Sequence, residues 1–135
     1  RPLKPYRWRL NETSLLEMPV TTFPGIRVPI HLSYVMYLAG FSTVLAQTYF
    51  NTALWTCRLF GVEPSILLHP LDFLGGEDVP RLQFFPSMRM SSQQKIAIVE
   101  RCLDSMVHRF DVRSVGEHAA VVATRKNLME VEPND

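Results

Sequence analysis

Between Arg27 and Arg58 this chain carries no Asp, Glu, Lys or Arg, and between Pro29 and Pro64 it carries no proline. Such a stretch must either join a core or enter a membrane. Polar groups argue against a span: His31, Ser33, Ser42, Thr43, Gln47, Thr48, Asn51 and Thr52 are scattered through the window. A spanning helix wants about 20 mostly apolar residues there. The pattern predicts two helices instead, over 31–39 and 42–60, broken near Gly40. In the second, Val44, Leu45, Ala46, Tyr49, Phe50, Ala53, Leu54, Cys57, Leu59 and Phe60 make a wide apolar face, and Gly61 stands where a left-handed C-terminal cap belongs.

Around this centre the chain alternates. KPYRWRL near the start reads as an edge strand, and 15–22 (LLEMPVTT) as a second, with Pro19 at an edge or a strand start. The apolar run 65–71 (SILLHPL) reads as a buried parallel strand. Ser91 and Ser92 can cap a helix whose Ile96, Val99, Leu103, Met106 and Phe110 recur at spacings of three and four, with Cys102 beside them. A short strand over 111–115 is expected next, then a helix over 116–129 opened by a Ser114–Glu117 capping box, and a polar frayed end. Strands alternating with helices in this order predict an α/β protein with parallel strands. A complete eight-fold barrel takes about 250 residues, so 135 residues suit only the last part of one, or a small three-layer sheet.

The charge balance weakens a nucleic-acid reading. Fourteen Lys and Arg against 13 Asp and Glu leave a formal charge of +1, too little to draw phosphate backbones by field alone. Cys57 and Cys102 make neither a disulfide framework nor a four-thiolate zinc cage, although one bridge between them is open. The opening RPLKPYRWRL has no apolar region typical of a signal peptide, and Arg1 in place of Met implies that processing or truncation set the start.

His69 is the residue best placed for chemistry, at the end of an apolar run and followed by Pro70, Leu71 and Asp72. In parallel α/β proteins such strand ends face the active-site rim. An imidazole there, paired with a carboxylate such as Asp72, suits general acid or base work; the plainer alternative is a buried structural histidine. His31, with Tyr34 and Tyr37 nearby, either lines a pocket or sits on a surface loop, while His108 and His118 read as surface residues. No HxxxH, HExxH or CxxC spacing occurs, so no metal site is expected within the chain, though His31, His69 and Asp72 could converge in space. There is no GxSxG elbow, and Gly75-Gly76 has no phosphate-loop frame; the pair suggests a turn with positive φ. The Lys4, Tyr6, Arg7, Trp8 and Arg9 interleaving could meet a sugar or phosphate, and the Tyr34 to Trp55 stretch could form an apolar lipid groove rather than a core.

Three segments, LLEMPVTTFPGIRVPIHLSY, SILLHPLDFLGGEDVP and RFDVRSVGEHA, resemble the C-terminal part of the polysaccharide deacetylase family, carbohydrate esterase family 4, over about residues 5 to 122. PVTTFPG is also similar to lipid-linked aminosugar deformylases of that superfamily. The resemblance implies the C-terminal portion of a deformed (β/α) barrel. It implies that Leu67-Leu68-His69 is the family's leucine-x-histidine motif, with His69 as general acid towards the leaving amine and Leu67 lining the acyl pocket; Asp72 and His31 join them as candidate substrate-binding residues.

The family's TFDDG-like aspartates, its HxxxH-type zinc ligands and its aspartate-tryptophan partner for the last histidine are not in this sequence. The resemblance therefore implies a parent enzyme that uses a divalent metal, usually zinc, held by a missing N-terminal half. It would remove an acetyl or formyl group from an N-acylated sugar or lipid-linked sugar, in a bacterial protein of the cytoplasm or membrane surface. The chain by itself is expected to bind no catalytic zinc, to hydrolyse nothing measurable and to expose apolar faces. The second hypothesis is a non-catalytic carbohydrate or lipid-linked-sugar binding module on the same fold.

Overall fold

The computed structural model describes residues 2–133. Arg1 and the last two residues of the expected frayed end, Asn134 and Asp135, lie outside them. Both helices of the uncharged stretch form. α1 spans Leu32–Ala39 and α2 spans Thr43–Leu59, with the break at Gly40–Ser42 and the Ser42 hydroxyl accepting from the Leu45 N–H as an N-cap. Gly61 takes φ +60°, the left-handed geometry expected at that end. Among the described residues no helix is long and apolar enough to cross a membrane.

α2 turns a narrower face inward than its apolar residues suggest. Ala46, Phe50, Ala53, Leu54 and Cys57 are buried, while Val44, Leu45, Trp55, Leu59 and Phe60 are exposed. The buried set follows spacings of four, three, one and three, one stripe of a helix rather than its whole surface. α3, Ser92–Val107, packs against that stripe, with a Ser91–Gln94 capping box at its start. Its inward residues are Lys95, Ile98, Val99, Cys102 and Met106, so the face is rotated from the expected one and leaves Ile96 and Leu103 exposed at its margins. Cys57 and Cys102 are both free and buried in this core; burial pushes their thiols up to about 11 and about 12, which leaves them protonated near neutral pH.

The strands depart most from expectation. β1, Tyr6–Leu10, is the central strand of a three-stranded sheet and not an edge. β2, Thr13–Glu17, pairs with it antiparallel, and β3, Met129–Val131, pairs with it parallel, placing Tyr6 opposite Met129. Part of the expected frayed end is thus β3, tied down by the Arg9–Glu130 ion pair. β2 ends before Pro19, which cannot donate to a ladder.

Residues 65–71 form no strand. Thr21 bonds to Ser65 through backbone and hydroxyl, at 3.2 and 3.0 Å to the Ser65 carbonyl, but no ladder follows, and Leu67 and Leu68 are partly exposed. Residues 111–114 are likewise a loop, where Arg113 folds back on Asp111 at 2.6 Å. α4 then spans Val115–Ala123, with the expected Ser114–Glu117 capping box and an end six residues earlier than the spacing predicts.

Gly75 and Gly76 do not take positive φ. They are buried by close approach: a Cβ on Gly75 would sit 2.5 Å from the Ser92 backbone nitrogen, and one on Gly76 2.5 Å from the Met88 carbonyl oxygen. The crowding packs the loop after His69 against the start of α3.

Candidate functional site

His69 opens a single 3-10 turn, Pro70–Asp72, and the local sequence explains the turn. Proline presets φ for a first turn and lacks the N–H that a first turn leaves unpaired. Asp72, three residues on, accepts the His69 backbone N–H at Oδ2, 2.8 Å away, while its own N–H donates to the His69 carbonyl at 2.9 Å. Asp72 is only 2% exposed. A carboxylate can be buried so deeply because both of its oxygens have donors.

The second donor is Ser33, on the first turn of α1. Its hydroxyl donates to Asp72 Oδ1 at 2.9 Å, and its oxygen lies 3.2 Å from His69 Nδ1. With the Ser33 proton committed to Asp72, the pairing with His69 is satisfied when Nδ1 carries a hydrogen and Ser33 accepts it. The tautomer is thereby assigned from the network: Nδ1–H faces inward and Nε2 is left for an incoming group. Asp72 Oδ2 is 3.6 Å from the same Nδ1. The His69 side chain is 46% exposed, so the ring is bonded on one edge and accessible elsewhere.

His31 joins this cluster from the N-cap position of α1. Its ring centroid is 6.5 Å from that of His69 and 6.0 Å from that of Tyr34, which it meets edge-on. Tyr49, on α2, donates to the Pro29 carbonyl at 2.7 Å and fixes the approach to His31. His31, Ser33, His69 and Asp72 therefore meet in one cluster although 38 residues separate His31 from His69 in sequence number. Leu67 stands apart: 38% exposed, it does not line the cavity that Leu68 borders.

That cavity, of about 410 Å³, lies between the 63–68 segment, α3 and α4, and His69 is not among its lining residues. At its edge Glu63 receives two bonds from Arg125, at 2.8 and 2.7 Å, and one contact of 3.2 Å from His118 Nε2. His118 is thus half of a clamp and not a free surface residue, whereas His108 is exposed with Nδ1 against the Asp104 carbonyl. The Arg125 bonds hold the Glu63 carboxyl below its usual range, with burial opposing and His118 adding to the lowering. A depressed carboxyl stabilises the fold above its unfolded pKa, and that contribution is lost as pH falls through its folded value. Arg125→Gln is expected to cost under about 1 kcal/mol near neutral pH, since the pair is partly exposed, and progressively less as pH falls below the ordinary carboxyl range; urea midpoints at neutral and acid pH check both.

Among the described residues no group of three or more His, Cys, Asp and Glu could hold a metal ion. Asp72 has both oxygens engaged and His69 Nδ1 is turned to Ser33, so the site as built suits proton handling and does not fit zinc. Compared with family models, with curated proteins and with solved structures, the chain matches none.

Proposed function

We propose that this chain carries the proton-donating part of a hydrolase that removes an N-acyl group, acetyl or formyl, from an aminosugar of a polysaccharide or lipid-linked sugar. The observation that supports it is the His69 arrangement, a ring held through Nδ1 by Ser33 and Asp72 with Nε2 open. When both ring nitrogens are protonated, the Nε2–H can pass its proton to the amine nitrogen as the carbon–nitrogen bond of the tetrahedral water adduct breaks, leaving the free amine and acetate or formate. Asp72, through Ser33, holds the ring and its tautomer in place before and after the transfer. The metal such a hydrolase uses does not fit these residues, and no step here runs through one. The reading also takes residues 5–122 as the C-terminal portion of a deformed (β/α) barrel.

The test is a nuclear magnetic resonance titration of the isotope-labelled chain with the tetramer of N-acetylglucosamine. Saturable shifts at His31, Ser33 and His69 are expected, without amine release and without an equivalent of zinc in elemental analysis. No saturable shift at His69, or one equivalent of zinc in the purified chain, would overturn the assignment. Saturable shifts confined to the Tyr6–Arg9 strand would favour a binding module instead.

A further inference from the structure

We propose that Lys95 is a positioning residue for the His69 site, its buried ammonium holding the turn that presents His69 and Asp72 through the Leu71 and Leu74 carbonyls. The inference deepens the reading of His69 as proton donor and rests on it.

Lys95 is 0% exposed and rises from the inward face of α3 among Ile98, Val99 and Cys102. A lysine is rarely buried so fully unless its ammonium is bonded. Here Nζ donates to the Leu71 carbonyl at 2.8 Å and the Leu74 carbonyl at 2.6 Å, with Met88 Sδ at 3.3 Å. Those two carbonyls flank Asp72 where the 3-10 turn ends, and a helix end left without donors would carry unpaired acceptors. The turn is thus gripped from two sides: Lys95 takes its carbonyls from the core, and the Asp72 carboxylate takes the His69 N–H and the Ser33 hydroxyl from the rim. Charge reinforces the grip. Burial pushes the Lys95 ammonium below its usual range, and the charges of Asp72, Glu77 and Asp78 oppose that shift. A methionine would fill much of the same space but offer the turn no donor.

A lysine that merely completed the core would affect His69 no more than any other inward residue of α3. Lys95→Met is therefore compared with Val99→Ala, one turn further along the same buried face. The readouts are hydrogen-exchange protection of the His69 backbone N–H relative to amides of α2, and the ring-nitrogen spectrum of His69. Lys95→Met is expected to lower that relative protection at least about tenfold and to mix the two ring tautomers; Val99→Ala should leave protection within about twofold and the tautomer unchanged. Lys95→Gln, which keeps an uncharged N–H donor group on a shorter side chain, should fall between. Equal responses to Lys95→Met and Val99→Ala would overturn the inference.

Should Lys95→Met not fold, Lys95→Gln against Val99→Ala decides by the same two readouts: a larger loss of His69 protection in Lys95→Gln is expected, and equal responses would overturn the proposal. None of these readouts involves a sugar. Failed sugar binding with the Lys95 dependence intact removes the hydrolase reading alone, and the reverse result removes this inference alone.

Discussion

Asp72→Ala is expected to destabilise the chain by about 3–5 kcal/mol, the range found when one member of a buried charged network is removed. Three losses combine. The His69 N–H and the Ser33 hydroxyl lose their acceptor, and the buried Lys95 ammonium loses a compensating charge. For a chain of 135 residues that corresponds to a fall in Tm of ~10–20 °C. Asp72→Asn is nearly isosteric, yet it presents an amide N–H to at least one of two donors and should recover under half of the loss. Urea denaturation of the two variants measures both values. A cost below about 1 kcal/mol for Asp72→Ala would mean that the carboxylate is solvated and that the network around His69 does not exist as described.

The second large effect concerns the orientation of α2. Phe50 is fully buried between α1, α2 and α3, and Phe50→Ala should cost about 3–5 kcal/mol through lost burial and the cavity left behind. Trp55, five residues on and 60% exposed, should lose no more than about 0.5 kcal/mol on replacement by alanine. Bulk alone would rank the two the other way. Equal costs, again from urea denaturation, would show that the helix is rolled relative to its neighbours and that the exposed row from Val44 to Leu59 is covered.

The contrast also shows what was legible beforehand. The α-helices of the described residues could be read, because capping residues and apolar spacing act locally: Ser91 and Ser114 cap as expected, and Gly61 closes α2. Which apolar residues turn inward could not, since Val44 and Ala46 are equally apolar and only packing against α3 separates them. The strand expected at 65–71 failed because a continuous apolar run fits an unpaired extended segment as well as a buried strand. β3 was missed because EVEPND is polar, and its pairing with β1 depends on Arg9, more than a hundred residues away.

At the site, His69 and Asp72 could be paired from their spacing, three residues across a proline turn. Ser33 could not: within an uncharged helix it served only as a polar group arguing against a membrane span, and nothing local connects it to a turn near residue 70. Lys95 did leave a signal. It falls four, seven and eleven residues before Val99, Cys102 and Met106, on their stripe, and was passed over because lysine is ordinarily a surface residue.

The central claim is that Ser33 and Asp72 hold one edge of the His69 ring so that the other nitrogen is free to handle a proton. Ring-nitrogen resonance of the unsubstituted chain, recorded where the imidazole is neutral, tests it most directly. The account predicts one dominant tautomer, protonated at Nδ1 and bare at Nε2, that is lost in Ser33→Ala. A ring protonated mainly at Nε2, or a spectrum indifferent to Ser33→Ala, would contradict it.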